Sequence, residues 1–205
     1  MRRLAIETAA DTCSVALFEG DDLIAYRHEV VGRGHAERLV PMISELPDRG
    51  RADDILVECG PGSFTGVRVG LAAARALGFA WGAPVHGYSS LPLIAASAFR
   101  QEAGLDRIAV AIIGGHGEYF VQLFGSGPVT VLAPLASLKP DAAARQCGAL
   151  PIAGSGGPAL QAEGATGRLI QVELDARETA WLPRDLAGLP PSPIYGRAPD
   201  ARPPA

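Results

Sequence analysis

Lysine is almost absent from this chain of 205 residues: Lys139 is the only one, and Pro140 follows it. A phosphate-binding P-loop ends in Gly-Lys-Ser or Gly-Lys-Thr, so the chain has none. A Schiff-base site would have only Lys139 to draw on. Cysteine is scarce as well. Cys13, Cys59 and Cys147 lie far apart, without the spacing of a metal site. Their odd number, with no signal sequence, leads to the expectation of a reducing cytoplasm. Runs of positive charge are missing: the net charge is −4 and the arginines are scattered. The chain alone is therefore not expected to grip tRNA tightly by counterion release. No apolar run is long enough to span a bilayer, since the stretch 69–85 is broken by Arg75, glycines and a proline. A nucleophile elbow G-x-S-x-G is absent, because Ser63 stands at the wrong offset. A dinucleotide fingerprint is absent too, because Ala9-Ala10-Asp11-Thr12, with no glycine, follows the first apolar run.

The most informative stretch that is present is Gly60-Pro61-Gly62-Ser63-Phe64-Thr65-Gly66. It joins the apolar run 55–59 to the long apolar stretch Val67 to Trp81, which reads as strand, glycine-rich turn and helix. Such a turn offers free N–H groups and the positive end of a helix dipole. Gly60, Gly62, Ser63, Thr65 and Gly66 are thus a candidate anion loop. A tight βα connection with Ser63 or Thr65 as N-cap fits the same residues, and twice as readily.

Before that loop, strands are expected at 4–8, 13–19 and 23–30, with a hairpin turn at Gly20-Asp21-Asp22. A helix follows over 35–46, with Leu39, Ile43 and Leu46 at helical spacing. Strand 55–58, helix 67–81, strand 85–88 and helix 91–101 complete a first α/β unit. Three antiparallel strands followed by alternating helices and parallel strands is the layout of the actin-like, ribonuclease-H-like (ASKHA) architecture. The pattern then restarts, with strands at 108–113, 118–124 and 129–132 and a turn at Gly114-Gly115-His116-Gly117. The expectation is a two-lobe α/β chain, with lobes 1–103 and 104–205. The second is a degenerate copy with a strand end at 151–154, a short helix at 157–163 and an extended proline-rich tail from Pro183.

Four stretches in order carry a family resemblance. They are Leu4 to Thr8 with Cys13 to Leu17; His35 to Ile43; Gly60 to Leu71; and Pro193-Ile194-Tyr195-Gly196-Arg197-Ala198-Pro199. On these residues the chain resembles the bacterial TsaB (YeaZ) family of tRNA threonylcarbamoyladenosine biosynthesis proteins. The resemblance implies a non-catalytic subunit that pairs with its catalytic paralogue TsaD. That enzyme transfers a threonylcarbamoyl group to the adenosine beside the anticodon of certain tRNAs. The ATPase TsaE is implied as a further partner, and self-pairing of the isolated chain is left open. No cofactor is implied, and a nucleotide at the partner interface is left open. The paralogue's metal site uses two histidines four apart on a helix; His28, His35, His86 and His116 offer no such pair. The chain also departs from the family. Glu7 stands where many members carry aspartate, and Ile113-Gly114-Gly115 replaces an Asp-Ala-Arg turn. Carboxylates at these turns handle magnesium and phosphate in related ATP-binding folds.

The resemblance puts the pairing face on two helices: His35, Glu37, Arg38 and Leu39 on one, Arg68, Gly70, Leu71, Ala74, Arg75 and Gly78 on the other. Composition offers its own argument. Arg68 and Arg75 are the only charges along 67–81, and a helix apolar nearly all round is buried on two sides. Gly66, Gly70, Ala74, Gly78 and Gly82 recur every four residues as a ridge that lets another backbone approach. That backbone is a partner's or belongs to the chain's own helix 35–46; the resemblance favours the partner. Two other classes of function remain. A small-molecule kinase or ATPase of this fold needs two phosphate-loop carboxylates, and Ile113 stands against it. A hydrolase needs a metal pair or nucleophile elbow, and neither is present.

Overall fold

The computed structural model describes residues 1–196. Its first sheet is built from β1 (Arg2–Glu7), β2 (Thr12–Glu19), β3 (Asp22–Val30), β4 (Asp54–Glu58) and β5 (Val85–Tyr88), in the order β3-β2-β1-β4-β5. β1 and β2 pair antiparallel with Ala5 opposite Ala16, while β1 and β4 run parallel with Ile6 opposite Val57. Helices α1 (His35–Ser44) and α2 (Phe64–Trp81) cover one face of this sheet. Leu4, Ile6, Val15 and Leu17 meet Leu39, Met42, Val67 and Leu71 there, all at most 5% exposed.

The second sheet repeats the plan. β6 (Arg107–Ile113), β7 (Tyr119–Gly125), β8 (Thr130–Leu138), β9 (Ile152–Ala153) and β10 (Leu169–Ile170) lie in the order β10-β9-β6-β7-β8. Around β6, as around β1, there are two antiparallel neighbours on one side and two parallel ones on the other. The copy is worn on its parallel side, where β9 and β10 have two residues each. This is a duplicated α/β unit of the actin-like, ribonuclease-H-like kind.

Three elements differ from the sequence expectation, each for a physical reason. β8 runs on to Leu138 instead of stopping before Pro134. It is an edge strand, where a missing N–H breaks no ladder bond. Helix α4 (Pro140–Cys147) was not expected, although Pro140 at its first turn and the Asp141–Arg145 pair at 3.0 Å are ordinary helix signals. The segment after β10 forms a 3-10 helix, Ala176–Trp181, capped by the Asp175 side chain. The short helix after β9 is α5 (Gly157–Ala162).

Helix α3 (Ser90–Gln101) lies between the lobes. Leu91, Ile94 and Ala98 pack on Ile108, Val110 and Phe124 of the second sheet; Leu93 and Ala96 pack on Leu56 and Tyr88 of the first. The chain then returns. Ala176 sits against Ala5, Ala16 and Phe18, and its N–H donates to Ser14 Oγ at 2.9 Å. Leu189 bridges Gly87, and the Ile194 N–H donates to Cys59 O at 2.7 Å. The returning segment thus bonds to the first sheet, while Gly196 at its end lies against Phe120 of β7. It forms a docked strap rather than a free tail. The Arg197-Ala198-Pro199 part of the fourth family stretch lies outside the described residues. Among the described residues no helix is long and apolar enough to cross a membrane.

Candidate functional site

The glycine-rich turn is consumed by the chain itself. Ser63 caps α2, its Oγ accepting from Gly66 N–H at 3.1 Å. The Ser63 N–H donates to Ala9 O at 2.7 Å, and the Gly60 N–H donates to Glu58 Oε1. A Cβ on Gly62 would sit 2.5 Å from Ala9 O. Three of the N–H groups that an anion would need are thus already bonded, and the turn is built as a close connection between β4 and α2. Thr65, at the first turn of α2, is exposed.

The small-residue ridge of α2 faces inward, and this corrects the expectation of an outward ridge. Ala74 is fully buried, and Gly66, Gly70 and Gly78 are buried as well. A side chain on Gly66 or Gly70 would collide with Thr8, and one on Gly78 would sit 2.5 Å from Val85 Cγ2. The ridge lets the helix axis approach the chain's own sheet, β1, β4 and β5, not helix 35–46 and not an outside surface. Leu71 at 2% exposure belongs to the same core.

On α1 the division is similar. Leu39 is in the core, and His35 is 2% exposed, its Nε2 3.0 Å from Ala10 O and 3.2 Å from Thr12 O. These two residues anchor the helix and leave only Glu37 and Arg38 of the expected set at the surface. Arg38 is bonded to Glu29. On α2, Arg75 donates to Pro191 O and Arg68 to the Tyr195 hydroxyl at 2.8 Å, with the Arg68 guanidinium over the Phe64 ring at 3.4 Å. Both arginines clamp the returning strap.

Sequence reasoning missed what remains outside. Phe79 is 93% exposed and Ala72, Ala76 and Ala80 are exposed on the same helix, while Val40 of α1 is 55% exposed. Ala72, Ala76, Phe79 and Ala80 fall at helical spacing on the face opposite the glycine ridge. That periodicity was legible, but an exposed alanine looks the same in a sequence as a buried one.

The histidines do not converge. His28 Nδ1 is 3.0 Å from Asp175, His86 Nε2 is 3.5 Å from Asp54, and His116 lies in the β6–β7 hairpin at φ 60°. Among the described residues no group of three His, Cys, Asp or Glu side chains is arranged to hold a metal ion.

The family model described as TsaD, tRNA N6-adenosine threonylcarbamoyltransferase, matches residues 28–158, well over half of the chain. The chain belongs to the TsaD family, in its TsaB/YeaZ branch. The tRNA threonylcarbamoyladenosine biosynthesis protein TsaB of Escherichia coli is 37% identical over 125 residues, which cover 58% of this chain and 53% of that protein. The Bacillus subtilis TsaB is 36% identical over 102 residues, covering 47% of this chain and 44% of that protein. The chain thus spans about half the length of the curated TsaB relatives it matches. Among solved structures, YeaZ from Pseudomonas aeruginosa superposes with a TM-score of 0.76 at 27% identity, covering 95% of this chain and 99% of that one. A second Pseudomonas aeruginosa structure, described as similar to peptidase YeaZ, reaches 0.81 at 28% identity, covering 96% and 99%.

In this TsaB/YeaZ-branch chain the two turns that departed from the family pattern have different fates. Ile113-Gly114-Gly115 is a hairpin: Gly114 N–H donates to Glu118 O at 2.8 Å. It brings no carboxylate to the inter-lobe cleft of about 510 Å3, which Ala9–Thr12, Pro61–Ser63, Ile113 and Ser155 help to line. Glu7 is fully buried beneath that cleft, beside Glu58 of the neighbouring strand. Burial, with the charge of Asp175 added, lifts Glu7 from 4.5 to about 7 despite the Ala9 N–H and the Tyr88 hydroxyl. Burial and then Glu7 itself push Glu58 well above its ordinary value. Such carboxyls are poor phosphate or magnesium handlers at neutral pH.

Proposed function

We propose that this chain is a non-catalytic partner subunit in tRNA threonylcarbamoyladenosine biosynthesis, docking on the catalytic paralogue TsaD through the outer faces of α1 and α2. The role in this pathway is supported by the TsaB relatives and the TsaD family match. The observation that carries the docking is the apolar face left outside by the inward ridge. Phe79 stands 93% exposed on α2 with Ala76 and Ala80 exposed on the same helix, and Val40 is 55% exposed on α1. A large apolar side chain left this exposed points to an interaction site, and an aromatic is the usual anchor of one. Glu37 is an exposed charge on α1.

The reading assigns no reaction to the chain itself and no cofactor. The kinase or ATPase alternative needs a second phosphate-handling carboxylate, and Ile113 stands in its place. The net charge of −4 argues against independent tRNA binding. TsaE and self-association are further partnerships that the same reading accommodates, and a cytoplasmic setting goes with it. The deciding experiment is co-purification of the full chain with TsaD, together with an assay of the chain alone. Pairing with TsaD, and no threonylcarbamoyl transfer or ATP turnover by the chain alone, is the expected result. Transfer or robust turnover without a partner would overturn it.

A further inference from the structure

Glu7 and Glu58 are the last residues of two adjacent parallel strands, and both are fully buried. Each is tied to a hydroxyl that faces a second acceptor. Tyr88 Oη lies 2.8 Å from Glu7 Oε2 and 3.0 Å from Ile6 O. Ser90 Oγ lies 2.8 Å from Glu58 Oε1 and 2.8 Å from Pro61 O. A hydroxyl carries one proton and can satisfy only one of two acceptors. With both glutamates ionised, each hydroxyl would leave an acceptor facing an acceptor. With both protonated, the bonds close: Glu7 donates to Tyr88, which donates to Ile6 O, and Glu58 donates to Ser90, which donates to Pro61 O. Glu58 Oε2 is buried with no donor at all, which a neutral carbonyl oxygen tolerates far better than a carboxylate oxygen.

The surroundings supply no counter-charge. Among the described residues neither glutamate has an arginine, lysine or histidine as ion-pair partner. The titratable groups that face the pair are Tyr88 from β5, Cys13 from β2, Cys59 after β4, and Asp175 ahead of the 3-10 helix. Asp175 is itself paired with Arg177 at 2.6 Å.

The pair also sits at the base of both cleft loops. Glu7 Oε1 accepts from Ala9 N–H at 2.8 Å, and Glu58 Oε1 accepts from Gly60 N–H. Ala9–Thr12 and Pro61–Ser63 are the two loops of the first lobe that line the inter-lobe cleft, and Ser90 begins α3, the helix between the lobes. We infer that Glu7 and Glu58 form a proton-locked latch: two neutral carboxylic acids that fasten both cleft loops and the root of α3, and that release them when a proton is lost.

The sign follows from the raised values. The folded chain binds protons that the unfolded chain has already given up, so the stability from this latch is full below the ordinary carboxyl value of 4.5. It falls as pH rises towards the Glu7 value of about 7. The test uses the full chain, with its glutamate carboxyls followed by NMR from about pH 4 to about pH 9. Amide exchange of segments 8–12 and 60–66, corrected for its intrinsic pH dependence, is followed in parallel. Two carboxyls still protonated at about pH 6, and loss of protection in both segments as the first proton leaves, is the expected result. The neutral mimics Glu7→Gln and Glu58→Gln should abolish that pH-dependent loss. Two glutamates titrating in the ordinary range would overturn the inference. So would raised values with no change in loop protection. If the glutamine variants do not fold, the wild-type titration and exchange decide alone.

Discussion

Substituting Ala74 and Phe79 by glutamate, one at a time, separates the inside of α2 from its outside. Ala74 is fully buried between α2 and the first sheet. Glutamate there adds four heavy atoms beyond the methyl position, three of them a carboxylate with no partner. Overpacking costs about 1–3 kcal/mol, and a buried unpaired charge costs several more. Domains of this size are stable by about 5–15 kcal/mol, and each kcal/mol lost lowers the melting midpoint by about 2–4 °C. Ala74→Glu should therefore melt at least about 10 °C lower, or fail to fold. Phe79 is 93% exposed, so Phe79→Glu should change stability by no more than about 0.5 kcal/mol. On the proposed docking face it should nevertheless cost about 2 kcal/mol or more of pairing, roughly a 30-fold loss of affinity for TsaD. Thermal melting and titration calorimetry against TsaD read both variants. Ala74→Glu melting within about 3 °C of wild type would mean that the ridge faces outward after all. A folded Phe79→Glu that pairs at wild-type affinity would remove the outer face of α2 from the interface.

Other outcomes follow from the same coordinates. Cys13, Cys59 and Cys147 are buried, which pushes their thiols up to about 12, about 12 and about 11, so alkylating reagents at neutral pH should label none of them until the chain unfolds; rapid labelling of the native chain, read by mass spectrometry, would contradict this. Burial raises the Asp175 carboxyl, but the bonds from Arg177 and the charge of His28 outweigh it and hold it below 3.8. Its stabilisation is present above that value and lost as pH falls through the lowered one, so Asp175→Asn should flatten the acid limb of a stability-versus-pH curve; an unchanged limb would count against the pairing. Removing both strap clamps with Arg68→Ala and Arg75→Ala should speed proteolysis within 189–196 while leaving the core melt within about 2 kcal/mol of wild type; unchanged cleavage would show that the strap is held elsewhere.

Most of the fold could be read from the chain because local and global signals agreed. Strand alternation, the hairpin turn and the helix spacing of Leu39 and Ile43 led to the right elements within a few residues. The misses came where tertiary context overrode local rules. The strand expected at 129–132 runs on through Pro134 to Leu138, because an edge position tolerates proline. The tail was expected to be extended because its prolines form no regular element. Its order comes instead from long-range bonds, Leu189 to Gly87 and Ile194 to Cys59, which no window of sequence contains.

The docking face was harder to read because one composition has two opposite meanings. A row of glycines and alanines along a helix permits close approach, but to what is decided by the partner that is nearest. Here the nearest partner is the chain's own sheet. Thr8 and Val85 occupy the space that side chains on Gly66, Gly70 and Gly78 would need, so the ridge spends its closeness on helix–sheet packing. The helix still had to be apolar on its other side, and that residue of hydrophobicity is what Phe79 and the exposed alanines express. An all-round apolar helix in a two-layer lobe therefore leaves an apolar outer side, and its small residues mark the inner face instead. Large exposed side chains, not the ridge, are the better guide to where a second protein would sit.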